Sequence, residues 1–345
     1  MINPSMPPAH PPESKEKTVL SQESPKIKIL VIPHQPHRNL KVRAIEMARF
    51  LASDSRYQVF TLTWETDANP YSNFPEKLLG KTAGLCKSMH IPQSITEESG
   101  VHWVRLPYML TPYPACQWFN QRQLSRFVAE QGIQLVISGN AYHFPMPQNN
   151  GIHRIYDVVD DHLSPGSGPA WRKTRQFTLR ELRKTDQIMT ISHALQAELE
   201  KVGFAQSHYV PNGVDYAAFT QANPAAIEAI RHQYQLHDRF VIGYIGNHGW
   251  WSGLALLMDA FQKLQAQHPN RCKLLIVGPG EELAHYRQQT TSNPDIIFTG
   301  PVDPQSVAGY FHVSSIGVLP FQQCPFTDNA MPLKILEYGA ARKTV

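Results

Sequence analysis

The sequence predicts an α/β protein built on parallel sheets, and three observations carry that reading. Short apolar runs rich in β-branched residues recur at 27–34, 134–138, 240–246 and 273–279. Stretches with apolar residues at helical spacing follow such runs, as they must where crossover helices connect parallel strands. After a polar stretch of helical character at 221–238 the alternation starts again, so the chain divides into two units.

Taken in order, 27–34 (IKILVIPH) is the first strand, and Val42, Ile45, Met47, Ala48 and Leu51 make 40–51 a helix. Residues 58–64 form the second strand. Residues 66–99, with Pro, Ser, Asn and Gly throughout, give no element and read as an inserted, mobile excursion. A third strand at 101–109, a helix at 117–131 and a buried strand at 134–138 follow. Strands at 154–160 and 187–192 each precede a helix, at 171–185 and 193–202. The second unit repeats the pattern, with strands at 240–246, 273–279 and 296–300, helices at 252–267 and 306–313, and a β run at 316–321. A loop at 325–330 then leads into a helix at 332–342 with Leu333, Leu336, Tyr338, Ala340 and Ala341 apolar. Pro332 suits its first helical position, where a missing N–H costs nothing. The organisation read from this is a disordered tail at 1–26, a Rossmann-like domain at 27–215, a linker at 216–238 and a second Rossmann-like domain at 239–345.

Composition narrows the classes. Over 345 residues, 42% hydrophobic and 17% charged content is that of a globular protein, long enough for two domains. A net charge of +4 argues against a nucleic-acid binder that relies on a strong general field and leaves room for local basic patches. No apolar run approaches the length of a membrane span, and the opening stretch has no signal-peptide core. Cys86, Cys116, Cys272 and Cys324 have neither metal nor redox spacing and read as reduced thiols of a cytoplasmic protein.

The chemistry is expected where strand ends meet helix starts, the loops in which α/β sheets bind anionic ligands. Three such loops stand out in the second unit: 246–253 (GNHGWWSG), 277–282 (VGPGEE) and 325–330. In the first unit, His143 and the group Asp157, Asp160 and Asp161 follow strands and would face the cleft. His143 could order a bound ligand, while Asp160 or Asp161 could instead cap the following segment. Arg172, Lys173, Arg180, Arg183 and Lys184 share one side of a helical wheel, either a solvated face or a stripe that touches anionic lipid.

The segments YDVVDD (156–161), TISHALQAEL (190–199), PNGVD (211–215) and PLKILEYGAARKTV (332–345) stand in one order. In that order and spacing the chain resembles the retaining nucleotide-sugar glycosyltransferases of family four over 27–345. The resemblance implies the GT-B fold, two Rossmann-like domains facing across a cleft, and transfer of a sugar from a nucleotide diphosphate sugar to a glycan or lipid-linked acceptor, in cell-surface polysaccharide assembly. Glu337 would hold the donor ribose, Lys334 would lie beside the phosphates, and Gly246, Asn247, Ser252, Gly253 and Gly278 would form the donor loops. The same-face mechanism ascribed to this family needs no carboxylate nucleophile and no cofactor beyond the co-substrate, with a divalent ion as an option for the diphosphate charge.

Departures accompany the resemblance. Asn329 stands where an acid is expected, with Asp328 beside it; Asn247 and Ser252 replace an arginine and a lysine; Arg342 replaces a glycine. An amide can bond a hydroxyl but cannot support positive charge on a sugar ring, which touches rate more than binding. Val345 falls inside what should be the next strand, so the second domain is expected to be incomplete with an open edge. A non-catalytic nucleotide-sugar or glycan binder is the alternative from another class, and an epimerase of the same fold is a further one. A cytoplasmic protein with peripheral contact at the inner membrane surface completes the expectation.

Overall fold

The computed structural model describes residues 25–34, 42–64, 89–109, 114–139, 144–280, 283–290 and 292–345. Candidate His143, the tail up to residue 24 and most of the 66–99 excursion lie outside the described residues. Two sheets organise the rest, one of eight strands and one of four.

The first contains β1 (Ile27–Ile32), β2 (Tyr57–Leu62), β3 (Ser94–Glu98), β4 (Val101–Arg105), β5 (Leu135–Ser138), β6 (His153–Val158), β7 (Gln187–Thr190) and β8 (His208–Tyr209). Its spatial order is β3-β4-β2-β1-β5-β6-β7-β8, parallel apart from β3 against β4. Helices α1 (Arg43–Ala52), α2 (Pro114–Gln131), α3 (Pro169–Leu182) and α4 (His193–Lys201) cross over between these strands. Period-two alternation sends Leu30 and Ile32 into a core with Leu124, Phe127 and Leu195, while Ile29 and Val31 pack on the other face with Ile45 and Trp103. Both faces are covered, which is why β1 reads as a continuous apolar run. The strand β3 corrects the reading of 66–99 as structureless. All five of its residues are exposed, so no apolar alternation marked it.

The second sheet, ordered β11-β10-β9-β12 and wholly parallel, consists of β9 (Phe240–Ile245), β10 (Cys272–Val277), β11 (Ile296–Gly300) and β12 (Ile316–Gly317). Between its two cores β10 is buried at every position. The segment expected to be a linker forms α5 (Tyr216–Thr220) and α6 (Pro224–Gln233), and Phe219, Ile230 and Leu236 belong to the core of the second sheet. Asp215 of PNGVD caps α5 by accepting from the Ala218 N–H at 3.1 Å. Helices α7 (Leu254–Gln267), α8 (Leu283–Gln289), α9 (Val307–Val313), α10 (Pro325–Asp328) and α11 (Leu333–Ala340) complete this half.

Two local readings change here. The 325–330 loop contains α10, and Pro332 is the N-cap of α11, with ψ of 127°, rather than its first helical residue. An extended residue at that point aims the helix at the sheet. Tyr338 anchors it, fully buried with its hydroxyl donating to the Gly243 carbonyl at 2.6 Å. The ring fits because Gly317 lies beneath it, where an added Cβ would sit 2.5 Å from the ring. The Gly317 N–H donates to the Thr344 carbonyl at 2.7 Å, so the chain after α11 runs beside β12.

Candidate functional site

The carboxyl ends of β1, β5, β6 and β7 face loops of the second half across a cavity of about 240 Å³. His34, Arg43, Asp157 and Asp160 line it on one side, with Trp251, Phe321, Phe326 and Lys334 on the other. This is the position at which open α/β sheets bind ligands.

The first wall is a set of buried polar groups, most of which hold one another. Asp157 is 1% exposed and receives a bidentate pair from Arg43, Nε to Oδ2 at 2.8 Å and Nη2 to Oδ1 at 3.1 Å. Burial pushes the Asp157 carboxyl above the ordinary carboxylate range, with Arg43 pulling against it. Arg43 Nη1 continues to the Pro211 carbonyl at 2.8 Å, and the Asn212 amide donates to the Met331 carbonyl of the second half at 2.8 Å. Burial lowers His34 and His162 below the usual histidine value despite the opposing charge of Asp160, which leaves both imidazoles neutral near pH 7.

Asp161 is wholly buried. It accepts from the Leu163 and Ser164 N–H groups at 2.8 and 2.9 Å through Oδ1, and from Asn329 Nδ2 at 2.8 Å through Oδ2. Burial raises its pKa, but the hydrogen bonds from Ser164, Asn329 and Leu163 outweigh this and hold it below the ordinary range. Of the two capping alternatives, Asp161 binds the following segment and Asp160 faces the cavity. Asn329 bridges the halves, because its carbonyl also accepts from Ser192 Oγ at 2.6 Å.

The second wall presents a cation. Lys334 lies one turn before Tyr338 on the same side of α11 and brings its ammonium to the end of β9. There Nζ lies 5.7, 5.5 and 5.6 Å from the ring centroids of Tyr244, Trp251 and Phe321, without an acceptor among the described residues. Desolvation lowers its pKa to about 8, with the Glu337 carboxylate acting in the opposite direction. Gly246, at φ of 139°, packs so closely that an added Cβ would lie 2.0 Å from Lys334 Cε. Gly278, at φ of 123°, packs in turn on the Gly246 carbonyl. His248 fastens these two turns, its Nε2 3.0 Å from the Gly278 carbonyl, and burial holds it neutral by lowering its pKa to about 4.

The remaining candidates stand behind this wall. Gly253 caps α7 in the left-handed region, where a Cβ would collide with the Pro320 carbonyl. Ser252 is 2% exposed and lies near the Tyr244 hydroxyl, which donates to the Asn247 carbonyl at 2.9 Å, rather than lining the cavity. Asn247 buries its amide oxygen without a partner among the described residues. Glu337 is half-buried one turn beyond Lys334 and outside the cavity lining. The structure therefore brings Asp160 and Lys334 to one cavity, Gly246 and Gly278 to its edge, and Asn329 to a cross-cleft bond. Among the described residues no cluster of three or more His, Cys, Asp or Glu side chains is placed to hold a metal ion, and no helix is long and apolar enough to cross a membrane.

Sequence reasoning missed Arg43, His34 and His162, and took Ser192 and Asn212 only as parts of motifs. An arginine at the first position of a helix that follows a strand-to-helix loop was the signal available for Arg43. In the basic stripe, Arg180 and Lys184 pair with buried Glu181 at 3.1 and 2.8 Å, while Arg172, Lys173 and Arg183 are exposed.

Comparison with known proteins places this geometry. Residues 40–218 match the family model described as Glycosyltransferase Family 4, and residues 239–345 match the one described as Glycosyl transferases group 1. The Bacillus subtilis glycosyltransferase TuaH, named for teichuronic acid biosynthesis, is 31% identical over 204 residues, 55% of this chain and 49% of its own length. TuaC, named for the same process in that organism, is 27% identical over 188 residues, 54% of this chain and 43% of its own. The chain thus spans about half the length of the curated relatives it matches. Among solved structures, sucrose-phosphate synthase from Thermosynechococcus elongatus superimposes with a TM-score of 0.66 at 16% identity over 92% of this chain and 80% of the other. WaaG, a glycosyltransferase involved in lipopolysaccharide biosynthesis, gives 0.65 at 12% identity over 92% and 80%. Anabaena HepE in complex with UDP-glucose gives 0.57 at 18% identity over 92% and 79%. The fold is GT-B, and with more than half its length matched by one family model the chain belongs to glycosyltransferase family 4.

Proposed function

We propose that this chain transfers a sugar from a nucleotide diphosphate sugar to a glycan or lipid-linked acceptor in the assembly of a cell-surface polysaccharide, with retention at the anomeric carbon. The observation that carries the reading is Lys334, a desolvated ammonium faced by three rings and no carboxylate acceptor, beside the Gly246 and Gly278 turns. A diphosphate supplies a directly bonded counter-charge, which the Glu337 carboxylate one turn away does not, and the N–H groups at the start of α11 add about half a unit of positive charge. Glu337 takes the ribose hydroxyls. Asp160, with neutral His34 and His162 beside it, orders hydroxyls of the transferred sugar or the acceptor. In the transfer, the bond from the anomeric carbon to the diphosphate oxygen breaks as the acceptor oxygen bonds on the same face, and the acceptor proton passes to the leaving diphosphate. Residues 27–215 serve the acceptor and 239–345 the donor. An acceptor held at an anionic lipid surface would meet exposed Arg172, Lys173 and Arg183.

One observation favours a second reading, a nucleotide-sugar binder without turnover: the 329 position carries an amide, and that amide is bonded to Asp161. Thermal shift with a panel of UDP, GDP and ADP sugars, followed by turnover of the one that binds, tests both. A donor at a hundred times its dissociation constant adds about 2.7 kcal/mol of stability. Binding with release of nucleotide upholds transfer, binding without it upholds the second reading, and absence of any shift overturns both.

A further inference from the structure

Aromatic side chains run from one half of the molecule to the other beside the cavity, which Phe326 lines. Trp171 and His162, on the segment after β6 and the start of α3, have ring centroids 6.0 Å apart. His162 lies 6.5 Å from Phe326 of α10, and Phe326 lies 6.0 Å from Trp250. Each neighbouring pair is tilted, at 59°, 45° and 38°, so the rings are not stacked face on face against one another. Trp171 is fixed, its indole N–H donating to the Ser164 carbonyl at 3.0 Å and its ring covering Gly166, where a Cβ would meet Nε1 at 2.2 Å. Trp250 is 56% exposed, a large apolar side chain that the fold does not use for its core. One terminus of this row is therefore held by the protein, and the other is presented to solvent rather than buried.

We propose that Trp171, His162, Phe326 and Trp250 form a platform for a chain of pyranose rings, the polymeric acceptor on which the transfer acts. The chemistry fits a sugar chain better than a lipid tail or a peptide. A pyranose has an apolar C–H face that packs on the negative face of an aromatic ring, and a rim of hydroxyls that needs donors and acceptors. Beside the rings stand such groups, Asp160 and Thr327, which line the adjoining cavity. A hydrocarbon chain would leave the Asp160 carboxylate and the His162 imidazole desolvated and unmatched. Four rings with neighbouring centroids 6.0 to 6.5 Å apart offer more ring surface than one sugar covers, so the platform favours several residues of a glycan over a single monosaccharide. This inference rests on the glycosyl-transfer reading for its role, but its binding chemistry stands separately.

The experiment measures binding of hexasaccharides of glucose, N-acetylglucosamine and glucuronic acid to the full chain, and of UDP to the same samples. Trp250→Ala leaves the core intact because the side chain is exposed, and is expected to weaken hexasaccharide binding about tenfold while UDP affinity stays unchanged; Trp250→Phe should recover to within about threefold. The parent chain should bind the hexasaccharide more tightly than the matching monosaccharide. Equal hexasaccharide affinity in parent and Trp250→Ala, or no binding of any of the three by the parent, overturns the platform and leaves the proposed function standing. Loss of UDP binding in Trp250→Ala also overturns it, because the tryptophan then serves the donor. Hexasaccharide binding that depends on Trp250 in a chain that takes no nucleotide sugar keeps the platform and removes the transfer reading.

Discussion

The two walls of the cavity bury charge in opposite ways. On the first, Asp157 is clasped by Arg43 and Asp161 by two backbone N–H groups and an amide, so these two carboxylates are satisfied by the protein itself, while Asp160 faces the cavity. On the second, Lys334 is desolvated by rings and keeps its charge without a carboxylate acceptor. Satisfied charges fix a shape; an unsatisfied one has free energy to gain from a ligand. The first wall is thus a rigid frame, and the second is where binding of an anion is rewarded.

Breaking this contrast at the first wall has the largest expected effect. Arg43→Ala leaves Asp157 buried without its partner and should cost about 3–5 kcal/mol of stability, read as a fall in the urea midpoint. A loss comparable with that of a surface substitution would show that Asp157 is not the buried charge that the frame needs. Next, Ser252→Lys places a long cation where a buried hydroxyl faces Tyr244, and should destabilise by roughly 1–3 kcal/mol through overpacking without tightening donor binding. Tighter donor binding in this variant would move the diphosphate toward α7 and away from Lys334.

Lys334→Ala sharpens the comparison from the other wall. Donor affinity should fall about tenfold, the loss of one charge-assisted bond, while stability holds or rises because a desolvated cation is gone. The pH dependence has the same division. With a folded pKa of about 8 against 10.5 for the free side chain, the unfolded chain binds more protons between these values, so Lys334 makes stability rise with pH across that window. Donor affinity falls over the same window as the ammonium is lost. Chemical denaturation and donor titration at pH 7, 8 and 9 should show opposite slopes, and neither slope should survive in Lys334→Ala. The smallest expected effect belongs to the cross-cleft amide: Asn329→Ala should cost about 1 kcal/mol, seen in the same melts.

How much of this was legible in the sequence follows from the range over which each signal acts. The alternation of β1, β9 and β10 with their helices was legible because burial on both faces writes a local apolar run. β3 was not, since its five residues are all exposed and pair at the sheet edge. The positions of Gly246, Gly278 and Lys334 at strand-to-helix turns could be read locally, but not the ring cage, to which Tyr244, Trp251 and Phe321 come from separate segments. Arg43 and Asp157 lie 114 residues apart, and Asn329 and Asp161 lie 168 apart; nothing within a window of either partner announces the other. The helical character of 221–238 could be read locally, but its polar faces hid the packing of Phe219 and Ile230 into the second core.

Segment 329–331 carries a further consequence, and it is kinetic. Ser192 and Asp161 hold Asn329, and Asn212 holds the Met331 carbonyl, so three hydrogen bonds tie this stretch to the opposite half. At about 1 kcal/mol net each, three such bonds would keep a parted form near one molecule in a hundred. A donor that enters only when the halves part would then show an apparent affinity reduced by that fraction, and an on-rate set by parting rather than by diffusion. Asn329→Ala, the mildest change for stability, would on this account be the one that admits the donor fastest.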